Sequence, residues 1–199
     1  TSAKQTASSA QQTAQQAQQA VQAAVQAAEE AQAAADEAKE EAQAATAELG
    51  MLSSDGYISP VEKTALRQQH ADINAEYDEI IADAGKYGVS TTVYTTAYNQ
   101  ADTALDKYTS ATPEYIPVES DYAHIAAYYD DRQTVLDAIS SASKQYVDTQ
   151  ITESSTIIQE TVQEAVLQVV DNKITQAVHT EVTTVVSEME IGGRNLVRG

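Results

Sequence analysis

Positions 3, 7, 10, 14, 17, 21, 24, 28, 31, 35, 38, 42, 45 and 49 are all apolar, in alternating steps of four and three. Twelve of the fourteen are alanine, with Val21 and Leu49 the exceptions, and Gln and Glu dominate between them. A heptad spacing held over that distance predicts a left-handed coiled-coil helix across residues 1–49. Ala, Gln and Glu are strong helix formers, and at ~1.5 Å per residue the helix is on the order of 70 Å long. The seam is thin, because a buried methylene is worth only about 0.8 kcal/mol and alanine offers little surface. Such a helix needs partner helices to hold it in register. A solvated single helix or helical linker is the plain alternative.

Residues 50–142 carry a different pattern. Gly50 reads as a helix stop and SSDG as a turn. Leu66, His70, Ile73, Tyr77, Ile80 and Ala84 then follow helical spacing, ending near Tyr87 with Gly88 as a left-handed C-cap. Ser90 can cap a second helix with Tyr94, Ala97, Tyr98, Ala101, Leu105 and Tyr108 on its inner face. TPEYIPVES, with two prolines, reads as an extended connection. Ser120 or Asp121 opens a third helix that turns Tyr122, Ile125, Tyr129, Leu136 and Ile139 inward. Three such amphipathic helices predict a small antiparallel three-helix bundle.

Over residues 143–191 the pattern changes again. Ile158, Val162, Val166, Val170, Ile174, Val178, Val182 and Val186 recur every four residues, a period that drifts around a helix of 3.6 residues per turn. Subsets fit heptad seams, such as Val147, Ile151, Ser154, Ile158, Val162, Ala165 and Val169, and later Val178, Val182, Val185 and Met189. A coiled coil with a stutter reconciles them, and β-branched residues at both seam positions favour three or more strands. The Thr/Val-rich TEVTTVV tract over 180–186 also suits β-structure. Residues 192–199 read as a linker to a distal domain. The fold class is therefore all-α: a coiled-coil helix, a bundle and a second coiled-coil segment.

Composition narrows the partners. The 199 residues carry 30 acidic against 11 basic side chains, a formal net charge of −19. That charge repels phosphate backbones, so nucleic acid is excluded as a partner of a basic surface, and anionic membranes are disfavoured for the same reason. No run of about 20 apolar residues predicts membrane insertion, and TSAKQTASSAQQ has no signal-peptide pattern. The lack of an initiator Met and the closing GGRNLVRG suggest a piece of a longer polypeptide. With no cysteine, disulfides and thiolate chemistry are ruled out. All 11 tyrosines lie between Tyr57 and Tyr146 and all three prolines between Pro60 and Pro117, which marks off the middle of the chain.

The candidate chemistry is sparse. SSDGYISPVE can be laid on a calcium-loop template with Met51 first, Ser53 third, Asp55 fifth, Gly56 sixth and Glu62 twelfth, but a thioether cannot replace the first carboxylate. The same residues form a capping box, with Ser59 as N-cap, Pro60 at the first helical position and Glu62 third, and that reading explains more with less. His70, His124 and His179 lack the spacing of a zinc site. His179 near a threefold axis could gather an ion from three chains, though ordinary packing is the simpler account. Asp130–Asp131, Glu29–Glu30 and Glu40–Glu41 read as solvated helix faces, since paired carboxylates do acid–base work only where a cleft splits their pKa values. No nucleotide-binding, hydrolase or triad signature is present. The expectation is no catalytic residue, no cofactor and no metal site.

LSSDGYISPVEKTALRQQHADINAEYDEIIADAGKYGVSTTVYTTAYNQADTAL resembles a module of tail-tip and tail-fibre proteins of long-tailed bacteriophages. In that module a D-G-x-I-[ST]-P-x-E-K turn opens one helix and K-Y-G-V-[ST]-T-x-x-Y-x-x-A-Y the next. IGGRNLVRG is similar to the junction before distal, often carbohydrate-binding, domains. The matches cover roughly residues 52–108 and 191–198, and they describe structural modules with no catalytic residue to carry over. The resemblance implies a homotrimeric stalk in the virion tail, joined to other tail or baseplate proteins, that projects a distal domain toward a bacterial surface receptor. Two other readings stay open. The tyrosine-rich bundle could itself bind a host glycan or protein, since exposed tyrosines are common at interfaces. The stalk could also belong to a trimeric cell-surface adhesin.

Overall fold

The computed structural model describes residues 2–52, 54–110 and 114–196, and at residues 2, 3, 186 and 188–196 it describes the backbone alone. Its elements are α1 (Ser2–Leu52), β1 (Tyr57–Ile58), α2 (Glu62–Tyr87), α3 (Thr92–Tyr108), β2 (Ile116–Pro117), a 3-10 turn (Ser120–Tyr122) and α4 (Ala123–Leu196). The all-α class holds. The chain divides into two compact units, one of residues 23–149 and the other of 1–22 with 150–199.

The unit 23–149 is built around the periodic positions of α2, α3 and α4. Leu66, Ile73, Ile80 and Ala84 of α2, Tyr94, Ala97, Ala101, Leu105 and Tyr108 of α3, and Tyr122, Ile125, Tyr129, Leu136 and Ile139 beside or in α4 are all buried. The same core also takes in Ala35, Ala38 and Leu49 of α1. This departs from a three-helix unit over 50–142, because the second half of α1 closes the core as a fourth helix. The alanine seam makes that closure feasible, since short side chains let the α1 backbone come near α4. Gln133 Nε2 of α4 reaches the Ala35 carbonyl at 3.1 Å, and the Tyr122 hydroxyl reaches the Leu49 carbonyl at 3.3 Å. Those pairings run α1 and α4 antiparallel within the unit.

Local signals explain most helix ends. α2 stops at Gly88, whose φ of 69° is left-handed, and Val89 N–H returns to the Ala84 carbonyl at 2.8 Å. That arrangement satisfies carbonyls a helix end would otherwise orphan. α1 ignores Gly50 and runs to Leu52, because a glycine stops a helix only when a left-handed residue is needed there. α3 starts after Thr91, with Ser90 Oγ 3.4 Å from Thr92 Oγ1 and no side-chain bond to the helix amides. Between α1 and α2 the chain turns at Gly56, φ 81°. β1 and β2 then pair antiparallel, Tyr57 with Pro117 and Ile58 with Ile116. Ile58 is fully buried in the core of this unit.

No break separates residues 123–142 from 143–191, because α4 continues through both. The β alternative for 180–186 is overturned: those residues are helical. The hydroxyls of this tract are taken up along the helix itself. Thr180, Thr183, Thr184 and Ser187 each donate to the carbonyl four residues back, at 2.7–2.9 Å. Residues 192–196, read as linker, are helical as well.

In the unit of 1–22 and 150–199, α1 and α4 again lie antiparallel. Ser154 Oγ donates to the Ala17 carbonyl at 3.4 Å, and Thr6 Oγ1 to Gln168 Oε1 at 2.6 Å. Ser154 is buried, and Ile158, Ala165 and Val169 are half-buried along this contact. The sequence seam placed Ile151 and Val162 there too, but both are exposed. From Val170 to Val185 every residue of α4 is exposed. Among the described residues, no helix is long and apolar enough to cross a membrane.

Candidate functional site

The turn before α2 adopts the capping geometry. Ser59 N–H donates to Glu62 Oε2 at 2.7 Å and Glu62 N–H to Ser59 Oγ at 3.3 Å. Asp55 Oδ1 accepts from Tyr57 N–H at 2.9 Å. Both carboxylates that a calcium loop would claim are thus engaged by backbone amides of their own turn. Ser53 lies outside the described residues. Among the described residues no cluster of three or more His, Asp or Glu could hold a metal ion.

The histidines scatter. His70 packs between α2 and α3, with Nε2 2.6 Å from Asp102 Oδ1 and Nδ1 3.8 Å from Asp106 Oδ1. His124 is half-buried and His179 exposed. The acidic pairs differ among themselves. Glu30 takes a hydrogen bond from Gln26 one turn away, at 2.9 Å, and Asp130 is exposed. Glu41 does more: it accepts from Arg132 Nη2 of α4 at 2.9 Å.

That contact opens onto a network that sequence reasoning missed. Arg132, only 8% exposed, donates through Nε and Nη2 to Glu76 Oε2 of α2 at 2.8 and 2.5 Å. The Tyr128 hydroxyl makes a short hydrogen bond to Glu76 Oε1 and lies 3.3 Å from the Tyr94 hydroxyl of α3. Residues of α1, α2, α3 and α4 are therefore tied into one polar chain. Burial first, then the Glu76 carboxylate, pushes the Tyr128 phenol far up. Burial pushes Tyr94 and Tyr129 up to about 12. Burial alone would lower the Arg132 pKa, but the Glu76 carboxylate more than offsets it and the guanidinium stays charged. A groove of about 350 Å³ lies alongside, walled by Glu41, Glu48, Gln69, Asp72, Glu76 and Arg132. With Glu76 bonded at both oxygens, the arrangement clamps the helices to one another.

A second polar cluster anchors the entry to α4. The Tyr108 hydroxyl donates to Asp121 Oδ1 at 2.8 Å and accepts from Glu119 N–H at 2.9 Å. Lys107 Nζ reaches Glu119 and Asp121 at 2.6 and 3.2 Å. The hydrogen bond from Tyr108, and then Lys107, hold the Asp121 carboxyl below its ordinary range. The Arg132–Glu76 network left no motif, because its members meet across helices far apart in sequence, and the Tyr108 cluster joins the end of α3 to the turn before α4.

The feature of the described surface with the most to do is apolar. Ile151, Ile157, Val162, Val166, Leu167, Val170, Ile174, Val178, Val182 and Val185 of α4 are 45–58% exposed. Comparison with protein-family models, with curated proteins and with solved structures finds no match to this chain.

Proposed function

We propose that this chain is a structural stalk or connector of a bacteriophage tail fibre or tail tip, projecting a host-receptor-binding region toward the bacterial surface. The observation that carries the reading is the exposed aliphatic face of α4 between Ile151 and Val185. A row of half-exposed aliphatic side chains winding around a helix in water marks an assembly surface, and covering each one is worth about 1 kcal/mol. Stalks are made by such covering. The polar side chains of the unit 23–149 support the same reading, since Arg132, Glu76, Tyr128, Tyr108 and Asp121 bind helix to helix. The resemblance of residues 52–108 and 191–198 to tail modules supplies the biological setting. It is the homotrimeric, non-enzymatic part of a virion, joined to other tail proteins, with coiled-coil packing along its helices and receptor contact through a distal domain.

The tyrosine clustering that suggested a binding bundle has another account. Tyr94, Tyr108, Tyr122, Tyr128 and Tyr129 are buried, and Tyr77 stacks on Tyr98 with ring centroids 3.9 Å apart. These tyrosines build a core in a chain without Phe or Trp, while Tyr57, Tyr115 and Tyr146 are exposed.

The test is localisation. Antibodies raised against residues 23–149 should decorate the tail end of phage particles in immunogold electron microscopy. Particles that carry no label, and from which peptides of the chain are missing by mass spectrometry, would remove the proposal.

A further inference from the structure

We infer that Asp55–Gly56 is a site of spontaneous covalent modification, where the aspartate cyclises onto the following amide and reopens as isoaspartate, loosening the turn between α1 and α2. It is the one Asp-Gly pair in the chain, and both residues are exposed. Asp55 Oδ1 accepts from Tyr57 N–H at 2.9 Å. That bond folds the carboxyl back over its own backbone as an Asx turn and lays the carboxyl carbon beside the Gly56 nitrogen. Among the described residues the Gly56 N–H has no hydrogen-bond acceptor, so its nitrogen is not committed elsewhere. Gly56 has no Cβ, and no atom beyond its chain neighbours lies within 4 Å of where one would stand, so nothing crowds the approach. The other aspartates differ. Each lies in a helix or in the 3-10 turn, where the amide that follows is held by a carbonyl of the preceding turn, as Tyr122 N–H is by Glu119.

The step needs only water. The Gly56 nitrogen attacks the Asp55 side-chain carboxyl carbon, and its proton leaves with the carboxyl hydroxyl as water. The cyclic imide so formed joins the backbone and side-chain carbonyls of Asp55 to a single nitrogen. Water then cleaves the bond between that nitrogen and the Asp55 backbone carbonyl carbon. The chain now runs through the former side chain, the former backbone carbonyl is a free carboxylate, and the mass is unchanged. The backbone has gained a methylene, and the carboxylate that held Tyr57 N–H is consumed in the new peptide bond, so that amide loses its acceptor. The neighbouring contacts are short-range. The Gly56 carbonyl takes Val118 N–H at 2.9 Å, and Tyr57 pairs with Pro117. Added length at this point therefore pulls at the register of β1 on β2 and at Ile58, which the core holds fully buried.

The test is to age the folded 199-residue chain at neutral pH in heavy-oxygen water and map it by peptide mass spectrometry with electron-transfer fragmentation. Isoaspartate should accumulate at residue 55 and at none of the helical aspartates, each event leaving one heavy oxygen there. Asp55→Asn keeps an oxygen for Tyr57 N–H and should reach the same isoaspartate many-fold faster, because ammonia leaves in place of water. Asp55→Glu, which would need a larger ring, should give none. The isoaspartate form, separated by chromatography, should unfold at a lower urea concentration than the fresh chain. An aged chain without isoaspartate at residue 55 overturns the inference. So does isoaspartate that forms only once the chain is unfolded in urea, because the folded turn would then protect the bond. An unchanged urea midpoint overturns the loosening of the turn.

Discussion

Arg132 and Glu76 meet across α4 and α2 with two guanidinium N–H groups on one carboxylate oxygen, at 2.8 and 2.5 Å. The pair is well shielded, with side-chain exposures of 10% and 24%. Removing Glu76 leaves the buried guanidinium with only the half-exposed Glu41 as partner, which costs up to about 3–5 kcal/mol. Glu76→Ala should therefore lower the urea midpoint of the chain sharply. The double replacement Glu76→Leu with Arg132→Met should recover most of the loss, since it removes both charges. Equal losses in the single and double variants would show that packing, not charge, dominates at this point.

High pH offers a second probe. Tyr94, Tyr122 and Tyr129 are raised by burial to about 12, against about 10 for an exposed phenol. The folded state therefore holds protons that the unfolded state releases between those values. Stability is fully present below pH ~10 and falls as pH rises toward ~12, by about 1.4 kcal/mol per pH unit for each such tyrosine. Tyrosinate absorbance and helical ellipticity should change together in that window. The absorbance change of all eleven tyrosines completed near pH 10 with the helices intact would count against a buried phenol core.

Two glycines three residues apart should respond in opposite directions to alanine. Gly85 sits inside α2 with open space around the position a Cβ would take, so Gly85→Ala should stabilise by about 0.5–1 kcal/mol. Gly88 has the same open space but a φ of +69°, and Gly88→Ala should destabilise by about 1–2 kcal/mol from backbone strain alone. Thermal melts of the two variants read the difference directly.

The alanine seam makes a third contrast. Ala38 is 1% exposed within the core, whereas Ala34 one turn back faces water. Ala38→Leu should cost about 1–3 kcal/mol by overpacking, and Ala34→Leu should be close to neutral. If both are neutral in chemical denaturation, α1 does not press against α4 at that level.

These contrasts also mark what could be read along the chain. Gly88 as a C-cap, the Ser59–Glu62 box and the inward faces of α2, α3 and α4 were legible, because each depends on residues within a few positions of one another. The partner of the alanine seam was not. A heptad shows which face of a helix is buried, and Ala35 or Ala38 looks the same whether its neighbour is α4 of its own chain or a helix from another. Gly50 misled for a related reason: glycine permits a stop, and only tertiary packing decides whether one occurs. The TEVTTVV tract left helix and β-structure both open with helix ahead, because β-propensity weighs side-chain branching and not the surroundings that decide it. Arg132, Glu76 and Tyr128 gave no signal, since nothing in their local sequence distinguishes a buried charge from a solvated one.

The close approach of α1 to α4 at Ala35 and Ala38 carries a consequence for how this chain can evolve. A single nucleotide change in an alanine codon yields Thr, Pro, Val, Asp, Glu, Ser or Gly. Of these, only Ser and Gly are small enough to keep the two backbones together, and Gly loosens the helix. Seam positions are therefore nearly closed to one-step substitution. The Gln and Glu codons between them that face solvent, unlike Gln32 and Glu41, are free to wander. Lineages descending from this sequence should keep a fixed row of alanines while the residues around it turn over.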